Sequence, residues 1–250
     1  MKTIYWRLAS LAALALLVAL WGEIAALKLV SPVFLPTPAR TWDALVRGFQ
    51  RGDLGVKLEG TVLHMLGGWL IASFAGVALG ALIGSSRLAR AYIGPTLEFL
   101  RPLPASAVIP VAISLFGLTP KMALGVIGFG AIWPMLLATI HGFAAVEPRL
   151  YEVARALKLS RVTIAFKIAL PSATPDILSG LRLGLTVSLI LAVVCEMIAG
   201  FDGLGQWVLL AARAYKSGDI FAGVALLGAI GVVANAALSA IEARWLRGRG

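Results

Sequence analysis

Long apolar runs separated by short polar segments dominate this chain and restrict what it can fold into. The runs lie at residues 6–27, 60–84, 96–116, 122–145, 175–199 and 221–245. A helix of about 20 apolar residues crosses the hydrocarbon core of a bilayer, and every run reaches about that length. The chain is 60% hydrophobic, whereas soluble domains contain about 45–50% apolar residues. The sequence therefore predicts an all-α membrane protein with about six transmembrane helices.

Lysine and arginine residues near the ends of the spans predict the orientation of the chain. Twelve lie on the side that holds both termini and residues 147–171, against eight on the opposite side. Since basic residues are enriched in cytoplasmic loops, both termini are expected in the cytoplasm. The formal net charge of +10 could suggest a nucleic-acid partner, but the basic residues cluster in the loops between the spans and at the two termini. We therefore expect contact with membrane lipid and no nucleic-acid partner.

The N-terminal part, residues 1–58, is expected to hold the first span and a periplasmic amphipathic segment, ahead of a core at residues 59–246. The first run could also be a cleaved signal peptide, but it is long for one and lacks a small-x-small cleavage site, which favours a retained span. Apolar residues recur at helical spacing within residues 39–50: Trp42, Leu45, Val46 and Phe49. This predicts a helix that lies on the membrane surface or packs on neighbouring spans.

Glycines at intervals of four mark two of the runs as closely packed helices. They are Gly76, Gly80 and Gly84 in the second run, and Gly180 and Gly184 in the fifth. Glycine lets helix backbones approach closely, so each strip predicts a contact between helices. That contact can lie within one subunit or between two copies of the chain.

Six residues are candidates for lining a path across the membrane: Glu98, Arg101, Pro102, Ser106, Ser188 and Glu196. The prolines of the third run leave backbone carbonyls free, which membranes tolerate only beside protein or water. That run can equally be a kinked packing helix. An ionisable residue within a span is by default a functional candidate, although Glu196 can also be an interfacial carboxylate. Glu98 and Arg101 are three residues apart and are expected to pair.

No residue pattern typical of a catalytic or phosphate-binding site occurs in the chain. No glycine is followed by lysine, so a P-loop for ATP phosphates is absent. Zinc-protease and nucleophile-elbow motifs are absent as well. With two histidines and one cysteine, we expect neither a metal site nor a cofactor. The chain is therefore predicted not to be an enzyme, and active transport would need energy from another subunit or from an ion gradient.

A polar, basic island at residues 147–171 separates the fourth run from the fifth. Pro148 suits the first turn of a helix, and Ser160 is a plausible cap for a second short helix. Pro171 is expected to end that second helix, and Thr174 to cap the next one. By charge alone, the island could also be a helix resting on anionic lipid.

Three elements of this island have the spacing of a known motif: Glu152-Val153-Ala154, Lys158 and Ile168-Ala169-Leu170-Pro171. The island resembles the EAA coupling loop of ABC-importer permeases, in which Glu-Ala-Ala, Gly and Ile-x-Leu-Pro follow at the same intervals. Val153 replaces an Ala, and Lys158 replaces the Gly that allows a left-handed turn. Residues 35–38 and 99–104 resemble the branch of that family that handles nitrate, sulfonates such as taurine, and bicarbonate.

The resemblance implies the type I ABC importer permease architecture with cytoplasmic coupling helices, in the bacterial cytoplasmic membrane. It implies a homodimer of permeases, two ATPase subunits that bind ATP and Mg, and an external binding protein that delivers a small solute. Residues implied to couple the chain to the ATPase are Glu152, Ala154, Leu157, Lys158, Ser160, Arg161, Ile168, Leu170 and Pro171. Glu152 would position the docked helix, Ala154 would permit close approach, and Pro171 would fix the angle into the fifth span.

Two other classes of protein fit parts of the sequence. A secondary transporter driven by an ion gradient would place carboxylates near the bilayer midplane as ion sites. Glu98 and Glu196 are its best candidates, but both lie towards span ends and no inverted repeat is evident. A membrane scaffold without transport would leave the pattern of the island unexplained.

Overall fold

The computed structural model describes residues 2–247, and the surroundings of their side chains except at residues 2–4, 6–8, 11, 155, 161 and 245–247. Within this part of the chain every regular element is a helix. The helices are α1 (Lys2–Ala26), α2 (Pro38–Gln50), α3 (Asp53–Gly84), α4 (Arg87–Leu100), α5 (Ala105–Phe116), α6 (Pro120–Ala144), α7 (Pro148–Ala156), α8 (Arg161–Ile164), α9 (Leu170–Ala199), α10 (Leu204–Arg213) and α11 (Ser217–Arg247). A π-helical turn at Ala165–Ala169 joins α8 to α9. The predicted all-α fold is confirmed.

Four helical stretches are long and apolar enough to cross a membrane: α3, α6, Val162–Ala199 and Ser217–Arg244. α4 and α5 pass the same test only as a bent pair, which would make a fifth span. The described apolar part of α1, Ala12–Ala26, is shorter than these spans. The described residues therefore contain four helices that could cross a membrane by length and composition, or five with the bent pair, and the predicted number of about six is not reproduced.

The run predicted as a single span at residues 96–116 is instead two helices that meet at an angle of 87°. α4 ends at Leu100 and α5 begins at Ala105. Pro102 and Pro104 lie in this break, where each proline lacks a backbone N–H and disfavours helix in the residue before it. Pro110, predicted as a third interruption, lies inside α5.

The chain divides into two compact units. The first consists of the chain up to Gly60 together with Asp202–Ala229, and the second of Thr61–Phe201 together with the chain from Ile230 onward. The first unit thus contains α1, α2 and α10, and the second contains α4 to α9.

α6 is the centre of the second unit, because the glycine strips of α3 and α9 both pack against it. A Cβ atom on Gly80 would lie 2.6 Å from the Cβ of Thr139, and one on Gly180 would lie 2.7 Å from the Cβ of Ala138. The remaining strip glycines face the same helix equally closely: Gly76, Gly84 and Gly184. Of the two arrangements that the sequence allowed, the strips therefore make the contact within one subunit.

In the first unit, α2 packs through its small residues and leaves its large apolar residues exposed. Thr37 caps the helix, since its Oγ1 accepts a hydrogen bond from the backbone N–H of Arg40 at 3.3 Å. Thr41 and Ala44 are buried. The exposed apolar residues are Trp42, Val46 and Phe49. The helix predicted at residues 39–50 is confirmed. Within the chain it packs through Thr41 and Ala44, and most of its predicted apolar face stays exposed.

Candidate functional site

The island at residues 147–171 begins as predicted, with α7 starting at Pro148 and ending in a sharp turn. Lys158 in this turn has a φ of 52°. The backbone N–H of Leu159 donates to the carbonyl oxygen of Ala154 over 3.0 Å, which is the long bond of a Schellman motif. Lys158 thus adopts the left-handed conformation that a glycine usually supplies. The turn of the motif is kept although its glycine is replaced.

The second helix of the island is capped as predicted but does not end as predicted. Ser160 Oγ accepts a hydrogen bond from the N–H of Thr163 at 3.1 Å. Pro171 does not end the helix, because α8 continues through the π turn into α9. The N–H of Leu170 donates to the carbonyl of Ala165, five residues back. This wider turn lies directly before Pro171, whose ring and missing N–H disturb an ordinary α-helix.

Thr174 is not a helix cap either, which corrects a second prediction. It lies buried inside α9, and its Oγ1 donates to the carbonyl oxygen of Leu170 at 2.9 Å. Pro175 also lies within this helix. The second helix of the island and the fifth predicted span are consequently one continuous helix.

One side of the island packs into the ends of the spans. Ala169 belongs to a buried cluster with Phe143 and Val146, and Ile168 and Leu170 pack against that cluster. Three of the residues implied to couple to the ATPase are covered at least in part by their own chain: Ala154, which is 1% exposed, and the half-buried Ile168 and Leu170. The close approach that Ala154 permits is an internal one.

Tyr151 adds a polar link between the island and α6. Its hydroxyl donates to the carbonyl oxygen of Phe143 at 3.4 Å, and its ring packs on the buried cluster. Burial raises the pKa of Tyr151, while the positive charge of Arg90 acts in the opposite direction. The hydroxyl therefore stays protonated, and able to donate, throughout the physiological pH range.

The opposite side of the island is exposed and carries apolar side chains. Their exposed fractions lie between 57% and 67%, and they are Val153, Leu157, Val162 and Phe166. Four polar or proline residues of the motif are exposed beside them: Glu152, Lys158, Ser160 and Pro171. The side chain of Arg161, also predicted to couple, lies outside the described residues. We call this side the island face.

The six candidates for the path fall into two groups. Around the break between α4 and α5 lie the exposed Glu98, Arg101, Pro102 and Ser106. Buried in the second unit are Ser188 and Glu196. The predicted pair of Glu98 with Arg101 is absent, since neither side chain takes part in an ion pair among the described residues. Both are exposed, so such a pair would gain little.

Glu196 lies in a buried polar cluster that joins α3 to α9. Its carboxylate accepts a hydrogen bond from Thr61 Oγ1 at 2.9 Å and lies 3.1 Å from Nδ1 of His64. The side chain is 0% exposed, so it is surrounded by its own chain. The carboxylate thus has hydrogen-bonding partners on α3, as buried polar groups in proteins usually have.

An ion pair between α9 and α11 was not predicted from the sequence. Arg182 Nη2 lies 2.5 Å from Glu242 Oε2. Its partner lies 60 residues away along the chain, so no local sequence pattern indicates the pair. The carboxylate of Glu242 compensates the charge of this arginine.

The comparisons with known proteins agree with one another. Residues 73–247 match the family described as binding-protein-dependent transport system inner membrane component. The chain is 30% identical to a nitrate import permease protein of Leptolyngbya laminosa, over 97% of this chain and 89% of the relative. It is 29% identical to the taurine transport system permease protein of Escherichia coli, over 94% of this chain and 87% of the relative.

A third relative is the bicarbonate transport system permease protein of Synechococcus elongatus, at 29% identity over 91% of this chain and 84% of the relative. The family match includes the whole island, and the relatives cover nearly the whole chain. Family members are membrane transport permeases and not enzymes. This chain therefore belongs to the binding-protein-dependent transport system inner membrane components, the permeases of ABC importers.

Proposed function

We propose that this chain is the permease subunit of an ATP-driven importer of a small oxyanion, and that its island face docks on a cytoplasmic ATPase subunit. The observation that carries the proposal is the two-sided structure of the island. One side is packed into the spans, and the other exposes four apolar side chains. Exposed apolar patches of this kind mark interaction sites in proteins.

The island face fits a protein partner better than a lipid surface. Leu157 directly follows α7 and donates its backbone N–H to the carbonyl oxygen of Val153 at 3.0 Å, so the two apolar side chains lie one helical turn apart and can enter one groove. Glu152 lies beside them and is exposed. The exposed Lys158 lies near it, and a groove in a protein can supply partners to both charges, whereas anionic lipid attracts only the lysine.

The internal side of the island offers a route for transmitting motion. α8 is continuous with α9 through the π turn, and Tyr151 bonds the island to α6. A displacement of the docked face would therefore be carried into two spans as a movement of a packed unit. Rigid-body switching at such an interface is an established way of coupling distant sites.

The remaining parts of the proposal come from the family. ATP and Mg would be bound by the ATPase subunits, the spans of two permease copies would form the path, and an external binding protein would deliver the solute. Nitrate, taurine and bicarbonate appear in the names of the relatives. We accordingly assign an oxyanion to this chain, with the inner membrane as its location and both termini in the cytoplasm.

Within the membrane, the break between α4 and α5 is the proposed wall of the path. Pro102 lies in the break and Ser106 just beyond it, and both are exposed. The break frees backbone carbonyls that need water or protein as partners. Ser188 and Glu196 are buried within one chain, so they would reach the path only if the spans move apart.

Docking is tested by combining the purified permease with a candidate ATPase subunit encoded beside it, in detergent or nanodiscs. Leu157→Asp should lower co-purification and permease-dependent ATP hydrolysis at least tenfold, because it places a charge at the centre of an apolar contact. Glu152→Ala should lower both as well. Leu118→Asp is the matched control, since Leu118 is 61% exposed and Leu157 is 66% exposed.

Equal activity of the Leu157→Asp variant and the Leu118→Asp control would refute docking through the island face. Uptake of solute into proteoliposomes that requires an ion gradient and no ATP would instead identify a secondary transporter.

A further inference from the structure

A cleft with a volume of about 750 Å³ opens on the first unit of the chain. Its side chains include four cations and two aromatic residues: Arg40, Arg47, Arg51, Lys216, Trp207 and Tyr215. Pockets for small molecules in proteins occupy about 300–1,000 Å³. The cleft therefore has the size of a small-molecule site, and neither the family nor the island accounts for it.

The charge of the cleft favours an anionic ligand. Its lining contains four cations and only two carboxylates, Asp53 and Asp219. None of the four cations forms an ion pair within the described part of the chain, although both carboxylates lie in the same cleft. Guanidinium groups bind planar and tetrahedral oxyanions through two parallel hydrogen bonds, so three arginines in one cleft suit such a ligand.

The position of these arginines on α2 indicates which side of the helix the ligand would approach. At about 100° per residue, Arg40, Arg47 and the C-cap residue Arg51 lie on one face, roughly opposite the exposed Trp42. Val46 and Phe49 are on the side of Trp42. If this apolar side rests on the lipid, as amphipathic surface helices do, the arginines point to water. A dissolved anion can reach them more readily than a lipid headgroup.

The other wall of the cleft is built by the turn between α10 and α11. Tyr215 has a φ of 55°, which is uncommon for a large side chain. The N–H of Lys216 donates to the carbonyl of Ala211 at 2.9 Å and closes α10 around that residue. A Cβ on Gly218 would lie 3.3 Å from the carbonyl oxygen of Arg40, so this glycine lets α11 start close to α2. The wall thus adds an aromatic ring and a cation to the lining of the cleft.

We propose that this cleft binds a small oxyanion from the outer solution, of the sulfonate, nitrate or bicarbonate class. The cations hold the anionic group, and the aromatic rings contact the carbon chain of a sulfonate. The choice of anion and of the outer side rests on the function proposed above. The existence of the anion site rests only on the cleft.

Binding is measured by saturation-transfer NMR with ethanesulfonate on the full chain in nanodiscs of phosphatidylcholine. Ethyl methyl sulfone, a neutral molecule of similar shape, is the control probe. Ethanesulfonate should bind and the sulfone should not. Raising the salt concentration should weaken binding, because all four cations are exposed.

The double variant Arg47→Gln/Arg51→Gln should weaken ethanesulfonate binding about tenfold, since each exposed cation contributes up to about fivefold. Arg213→Gln, which removes an exposed arginine outside the cleft, should leave binding unchanged. An unchanged thermal unfolding midpoint in both variants excludes a loss of fold. Equal binding by the double variant and the control variant would overturn the proposal.

Two further results would assign the cleft differently. Phosphatidylglycerol in the nanodiscs is one test. If it abolishes the ethanesulfonate signal, and if the protein needs Arg47 and Arg51 to retain phosphatidylglycerol, the ligand of the cleft is a lipid headgroup. If the external binding protein needs the same arginines while ethanesulfonate never binds, the cleft is a docking surface for that protein. If no anion binds while ATPase coupling is intact, the proposed anion site is refuted and the proposed importer function is not affected.

Discussion

The backbone N–H of Leu159 donates to the carbonyl oxygen of Ala154 over 3.0 Å, and this bond holds the two helices of the island in their relative direction. It requires a left-handed residue between them, and Lys158 adopts that conformation at φ 52°. A side chain there costs about 1–2 kcal/mol relative to glycine.

Lys158→Gly is therefore expected to be more stable than Lys158→Ala by about 1 kcal/mol, because both remove the charge and only glycine removes the strain. The thermal unfolding midpoint of the two variants measures the difference. Equal midpoints would mean that this turn is not strained in solution.

Tyr151→Phe should lower the stability of the protein by about 0.5–1.5 kcal/mol at pH 8, because the carbonyl of Phe143 loses a donor. Burial raises the pKa of Tyr151 above its ordinary value of 10.0. The contribution of the neutral hydroxyl is therefore fully present below pH 10 and is lost as the pH rises through the raised pKa. Denaturation of both proteins at pH 8 and above pH 11 checks this. If the protein with Tyr151 gains further stability over the Tyr151→Phe variant at high pH, the prediction is wrong.

Gly80→Ala should destabilise the second unit by about 1–3 kcal/mol, because a methyl group would overlap the Cβ of Thr139 and approach the carbonyl of Leu136. Gly125→Ala in α6 is the matched control, since no atom lies within 4 Å of the added methyl group. The control should be neutral or stabilising by up to about 1 kcal/mol. Similar losses of thermal stability in both variants would show that the strip does not pack as described.

Thr61→Val should destabilise the protein by about 1–3 kcal/mol, because it removes a hydrogen-bond donor to the buried carboxylate of Glu196 without changing the shape of the side chain. Thr186→Val is the control on α9, since Thr186 is exposed, and it should change stability by less than about 0.5 kcal/mol. The midpoints of thermal unfolding in the same detergent give the comparison. A neutral Thr61→Val variant would argue that this carboxylate is held mainly by other partners.

Local signals predicted much of the island but not its continuation. The proline at 148 and the serine at 160 act on the next few residues, so their roles as helix start and cap were readable from the sequence. Pro171 also carries a strong local signal, but the π turn before it overrides that signal. A rearranged hydrogen-bond register of this kind has no counterpart in residue spacing.

Contacts between distant segments were harder to predict from the sequence. The glycine strips indicated close packing, yet only the structure shows that α6 receives both. The pair of Arg182 with Glu242 and the cluster around Glu196 join residues 60 and more than 130 positions apart. Tertiary packing decides such contacts, and a single sequence does not encode them in a local pattern.

The π turn at Ala165–Ala169 also sets an angular offset. An α-helix advances about 100° per residue, and a π turn contains one residue more than an α turn. The segment before the turn is therefore rotated about the helix axis, relative to α9, by about the 100° that one residue contributes. The direction of the exposed apolar side chains and the direction of the glycines on α9 are thus set independently. Gain or loss of a single residue at this turn would re-aim the island while leaving the helix packing of the spans in phase.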